Sequence, residues 1–355
     1  MAPTDLRQTL AQSLVVGLPG PTVGRRERRL VAEEGIGGVI LFDRNLPAPT
    51  DPRQVWRLNR DLRQAAAAAG RPPLLVMVDQ EGGSVTRLGE PFTHGPDLAR
   101  VGDSWGETGA HAHGARLGAE LVLAGFNWNL APVVDVHAVA GGVMARRSLG
   151  PDPWQVAKLA AAYITGQRAT GCLSCAKHFP GLGRTVADTH RRRPRVALSL
   201  EQLREVELVP FRAAIASGVE GVMVCHAVFE AIDPQRPASL SSAVIELLRR
   251  EMGFDGLVLS DDLEMGALAA EMQPDQAVVE AYRAGCDLLL VCHRPEMAIA
   301  GLDRLVALAE SGEIPAERIA AGAERIAACK RRLQAMPPAW SHLASLLDLP
   351  VQPAV

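Results

Sequence analysis

Short runs of apolar residues recur along the 355-residue chain, at 14–17, 38–42, 74–78, 128–134, 172–176, 221–225, 257–260 and 287–291. These runs are apolar throughout rather than alternating, which predicts strands buried on both faces. Between them lie segments with helical periodicity, at 52–69, 107–124, 153–170, 200–217, 241–252 and 275–284, with further helix at 315–336. Strands that alternate with helices pair in parallel, because each helix carries the chain back to the start of the next strand. Eight such units predict an α/β fold, a (β/α)8 barrel of the TIM type in a single domain. Its expected extent is 1–336, with a C-terminal tail at 337–355 marked by Pro337, Pro338 and Pro350. A doubly wound open sheet is the competing architecture, but no Gly-x-Gly-x-x-Gly opens a helix after a strand.

Composition narrows the function classes. Hydrophobic residues make up 48% of the chain, enough for a sizeable core, and the net charge of -3 argues against a general nucleic-acid binder. The start of the chain lacks a basic segment followed by a long apolar one, and no stretch approaches eighteen uninterrupted apolar residues. A cytoplasmic protein is expected, with no membrane partner. Of the six cysteines, Cys172 and Cys175 have CxxC spacing, but residues three apart on a strand face opposite ways, so packing is expected rather than a disulfide or shared metal.

A barrel places function at the carboxyl ends of its strands, so polar residues there are the informative ones. Asp79 follows the third run, with Arg87 eight residues on; a carboxylate and a guanidinium at such a rim suit recognition of sugar hydroxyls. A capped turn with an ion pair is the plainer alternative. Arg147 lies in the long connection after the fourth run. After the fifth come Lys177 and His178, opening a glycine- and proline-broken loop that carries Asp188 and His190. Two residues apart on an extended segment, a carboxylate can orient and charge an imidazole for general acid/base work. His226 ends the sixth run and suits a hydrogen-bonded rim histidine. Asp261 and Asp262 end the seventh, and adjacent buried carboxylates are costly to ionise together, which is typical of a functional site. One suits a nucleophile, and Asp262, just before Leu263-Glu264-Met265, suits a cap. Histidines and aspartates at strand ends also build metal-dependent hydrolases, but His111 and His113 lie two apart on an expected helix and share no face. Neither a metal nor a cofactor is expected.

Taken together, these motifs resemble glycoside hydrolase family 3, in particular its single-domain β-N-acetylglucosaminidases of bacterial peptidoglycan recycling. The resemblance rests on Gly38-Val-Ile-Leu-Phe with Arg44-Asn45, Val78-Asp-Gln-Glu-Gly-Gly with Arg87, and Ala131-Pro-Val133 with Asp135. It rests further on Lys177-His-Phe-Pro-Gly through Asp188-Thr-His190, Arg236-Pro-Ala-Ser239, Gly253-Phe-Asp-Gly256 with Ser260-Asp-Asp-Leu263, and Ala284-Gly-Cys-Asp287. It implies Asp261 as nucleophile, His190 as general acid/base and Asp188 as its support, with Asp79, Arg87, Arg147, Lys177 and His178 binding the terminal sugar. It also implies a retaining exo-enzyme without a cofactor, acting on N-acetylglucosamine-containing muropeptides as a monomer or weak homodimer. Leu182, where the family usually has a second histidine, and Arg191 to Arg193 depart from the pattern. Another family 3 exo-β-glycosidase, for glucose or xylose, and a non-catalytic sugar-binding barrel are the alternative readings. The sequence leaves open whether water or phosphate is the acceptor.

Overall fold

Strands apolar on both faces need cover on both, and a closed barrel inside a ring of helices supplies it while leaving no strand edge unpaired. The computed structural model describes residues 3–46, 49–137, 142, 144–185, 194–269 and 272–350. Parallel pairing runs from Leu289–Val291 through Leu14–Gly17, Gly38–Leu41 and Leu75–Val78 to Trp128–Asn129, and separately through Cys175–Phe179, Gly221–Val224 and Leu257–Ser260. Parallel bridges Trp128 to Leu173, Val133 to Lys177 and Leu259 to Leu288 join the two sheets at both seams. The result is the expected eight-stranded barrel.

Period-two alternation divides the buried residues between two cores. Val15, Ile40, Leu75, Met77, Leu257, Leu259, Leu288 and Leu290 pack together inside the barrel, whereas Leu14, Val16, Val76, Val78, Val258 and Val291 pack outward under the helices. Helices Pro52–Ala68 and Pro153–Ala169 begin with the same device: an aspartate, Asp51 or Asp152, caps the first turn and a proline takes the first helical position. The helix Ala316–Lys330 closes the amino-terminal end, sending Ile326 and Cys329 into the interior cluster.

The structure departs from the sequence reading at four elements. The fifth strand runs Cys175–Phe179 rather than 172–176, so Lys177 and His178 belong to the strand and not to the loop after it. Polarity misplaced that end, because both side chains are buried against carboxylates. The fourth strand is only Trp128–Asn129; Pro132 has no N–H to give a ladder, and pairing resumes only as a bridge at Val133. Helix Pro295–Glu310 was not anticipated. Beyond Pro337, where a tail is expected, a helix Trp340–Leu346 buries Leu343 and Ala344. The six cysteines are free and buried, Cys172 and Cys175 among them.

Candidate active site

The inward-facing series of each strand continues past the apolar layers. On the third strand Leu75 and Met77 lead to Asp79, on the fifth Cys175 leads to Lys177, and on the seventh Leu257 and Leu259 lead to Asp261. A polar residue stands where the next core side chain would be. Together they line a cavity of about 200 Å³ at the carboxyl end of the barrel, on the scale of one sugar ring.

The cavity floor is a charge network. Lys177 Nζ lies 2.6 Å from Asp79 Oδ1 and 2.7 Å from Glu81 Oε1, and Glu81 also takes two hydrogen bonds from Arg147, at 2.8 and 2.9 Å. Glu81 and Lys177 are almost wholly buried. Burial opposes both charges, but Arg147 and Lys177 hold the Glu81 carboxyl well below the usual range, and Asp79 with Glu81 pushes the Lys177 ammonium up to about 12. Glu81 and Lys177 are therefore both held charged and fixed in place.

Consecutive strand residues normally face opposite ways, yet Lys177 and His178 both line the cavity. Their strand pairs irregularly, with the register shifting between Lys177 and Phe179, and that shift turns His178 inward. Asp135 fixes the imidazole: its carboxylate lies 2.8 Å from His178 Nδ1 and accepts the backbone N–H groups of His178 and Leu182 at 3.2 and 2.7 Å. Nδ1 thus carries a hydrogen, and Nε2 is the nitrogen left for a ligand. Leu182 meets Asp135 through its backbone N–H, a contact that does not depend on its side chain. Gly183 follows because an added Cβ would fall 1.7 Å from Val136 O.

Asp261 faces this cluster across the cavity. Its Oδ1 accepts the N–H of Asp262 at 2.9 Å. Burial disfavours its charge, but His226, His178 and Lys177 outweigh that, and its carboxyl stays below the usual range. His226, fully buried, donates Nε2–H to Asp262 O at 2.8 Å and meets Ser239 Oγ through Nδ1, so the expected rim histidine braces the strand end that carries Asp261. Asp262 caps the following turn, accepting Glu264 N–H at 3.1 Å. Arg87 pairs with Asp43 at 3.2 Å rather than with Asp79, and it stacks with Arg44 on Phe42.

The fold thus brings Asp79, Arg87, Arg147, Lys177, His178 and Asp261 to one cavity, while Asp188 and His190 lie outside the described residues. Sequence reasoning quoted Glu81 and Asp135 without assigning them roles, and it missed Phe42 and His293 as cavity walls. For Phe42 the signal was available, since it continues the inward series from Ile40. Among the described residues no cluster of three metal-ligating side chains occurs.

A closed α/β barrel that holds an ionised aspartate and a fixed network of charges in one cavity at its carboxyl end fits a glycoside hydrolase. The chain belongs to glycosyl hydrolase family 3, whose N-terminal domain matches residues 5–329. It is similar to the β-hexosaminidase of Alkalilimnicola ehrlichii, 38% identical over 299 residues, which cover 82% of this chain and 84% of that protein. A solved family 3 β-N-acetylglucosaminidase from Paenibacillus sp. superimposes with a TM-score of 0.89 at 38% identity, over 99% of this chain but 64% of that one. The β-N-acetylhexosaminidase of Beutenbergia cavernae gives 0.85 at 32% identity, over 92% and 98%.

Proposed function

We propose that this protein is a retaining exo-β-N-acetylglucosaminidase, releasing terminal N-acetylglucosamine from peptidoglycan fragments in the cytoplasm. The observation that carries the reading is the placement of the ionised Asp261 across a one-sugar cavity from Asp79, Arg147, Lys177 and His178. The buried Lys177–Glu81–Arg147 network closes the cavity below, so only a chain end fits, which supports exo action. The similar hexosaminidases support N-acetylglucosamine over glucose.

In this reading Asp79, Arg87, Arg147, Lys177 and His178 hold the ring hydroxyls. Asp261 attacks the anomeric carbon, displacing the leaving oxygen, which takes a proton from His190. Water then attacks the glycosyl-aspartate, giving its proton back to His190 and releasing Asp261. Asp188 stabilises the imidazolium in between.

Aryl N-acetylglucosaminide and aryl glucoside assayed side by side test the specificity, with turnover of the first expected to dominate. A 5-fluoro glycosyl fluoride tests the chemistry: a covalent adduct on Asp261, found by peptide mass spectrometry, is expected. An adduct on Asp262 would overturn the assignment.

A further inference from the structure

The cavity wall opposite the charge network ends in a second pair, Asp262 and His293, which the catalytic cycle does not use. The His293 side chain is 58% exposed, against 17% and 2% for Asp79 and Lys177 on the floor, and it lies 3.6 Å from Asp262, so the pair reaches from the cavity to its mouth. Asp262 follows the nucleophile as the chain leaves the barrel, and His293 follows the inward Cys292 in the same way. With C1 of the bound sugar at Asp261 and its ring below, groups at this height meet what C1 carries outward, the leaving group.

The pair has a defined donor and acceptor. Arg44 Nη1 lies 3.4 Å from His293 Nδ1, and arginine can only donate, so Nδ1 accepts and the imidazole hydrogen sits on Nε2. Phe42 stacks on the ring, 5.9 Å between centroids and 23° from parallel, which fixes its orientation. Asp262 Oδ1 is occupied by the N–H groups of Glu264 and Cys292, at 3.1 and 3.2 Å. Its Oδ2 faces His293 Nε2 at 3.6 Å, too far for a direct hydrogen bond. An oxygen about 2.8 Å from both bridges that gap, and a hydroxyl, which donates and accepts through one atom, satisfies both groups. With Asp262 ionised a secondary amide does not, because its N–H and C=O point in opposite directions. Burial, with Glu264 and Asp261 close by, pushes the Asp262 carboxyl up to about 7, so near neutrality it serves such a hydroxyl in either protonation state.

We infer that Asp262 Oδ2 and His293 Nε2 together bind a hydroxyl of the leaving unit, so the enzyme selects a sugar over an apolar group at that position. This rests on the N-acetylglucosaminidase reading above. His293→Phe keeps the stacking surface and removes the donor. It should lower kcat/KM for the disaccharide N,N'-diacetylchitobiose about five- to tenfold more than for 4-nitrophenyl N-acetylglucosaminide, whose leaving group offers no such hydroxyl, as expected for one lost hydrogen bond. His293→Gln, which keeps a donor, should recover part of that selectivity, and thermal melting checks that both variants fold. Equal losses on the two substrates, or a larger loss on the aryl glycoside, would overturn the inference alone. A wild type inactive on both would instead remove the N-acetylglucosaminidase reading, and this inference with it.

Discussion

Arg147 grips Glu81 through two of its guanidinium nitrogens, Nε to Oε2 at 2.9 Å and Nη2 to Oε1 at 2.8 Å, and so builds the cavity floor on a buried carboxylate. Glu81 is 1% exposed and also holds Lys177. Breaking a buried pair by removing one charge is costly, because the partners stay behind uncompensated. Glu81→Gln is therefore expected to cost about 3 to 5 kcal/mol in stability, measured by urea unfolding. Activity should fall as well, through loss of Lys177 and Arg147 positioning; a fully active, equally stable variant would show the floor to be unnecessary.

Asp135 sets which nitrogen His178 turns toward the cavity. In Asp135→Asn the amide can offer its NH2 to Nδ1, which reverses the tautomer and turns Nε2 from acceptor into donor. The expected result is a kcat/KM about tenfold lower or worse, as for a lost hydrogen bond to a charged or fixed group. Nitrogen-15 NMR of the His178 ring checks the cause, since the tautomer should change along with the rate.

Among the described residues, Lys330 is a buried cation with no carboxylate partner. Its Nζ lies 2.7 Å from Gln12 Oε1 and 2.7 Å from Gly37 O, both neutral acceptors. Burial pushes its ammonium down to about 7. The folded chain thus gives up this proton more readily than the unfolded chain, whose lysine titrates near 10.4. Between those values the unfolded state binds more protons, so stability rises with pH across that window and the full burial penalty applies below it. In Lys330→Met this slope should vanish. The stability of wild type relative to Met should climb by as much as about 1.4 kcal/mol per pH unit from pH 7 to 10, followed by denaturant unfolding, and a pH-independent difference would count against it.

At the amino-terminal end of the barrel, Asp287 answers three arginines. Arg249 Nη2 and Arg325 Nη2 reach it at 2.5 and 2.9 Å, Arg318 Nη1 at 3.7 Å, and Val258 N–H donates to it at 3.0 Å. Asp287 is fully buried. Asp287→Asn should lower stability by about 3 to 5 kcal/mol while leaving KM near its wild-type value, because the cavity lies at the other end of the strands. A large change in KM without loss of stability would contradict that separation.

The departure at Arg191 to Arg193 lies outside the described residues. If those charges meet the carboxylates of a muropeptide, their replacement by Gln should raise KM for the anionic substrate and spare a neutral aryl N-acetylglucosaminide. Added salt should erode the wild-type preference in the same way, because exposed charges are screened beyond about 8 Å at physiological ionic strength.

The barrel was legible in the sequence because burial on both faces leaves uninterrupted apolar runs, and eight of them separated by helices admit few closures. Asp79 and Asp261 were legible for a related reason: each follows an apolar run directly, and the two-residue alternation of Leu75, Met77 and Asp79, or Leu257, Leu259 and Asp261, aims it inward. His178 obeys no such rule, since it faces inward only through a register shift that depends on how its strand meets Gly221–Val224. The partners of Lys177 were equally hidden. A lysine ends a strand on paper because its charge is assumed to need water, and only the folded chain brings Asp79 and Glu81, 98 and 96 positions away, close enough to replace it. Local sequence fixes which way a regular strand points its side chains, whereas the compensation of buried charge is a long-range sum that exists only once the barrel has closed.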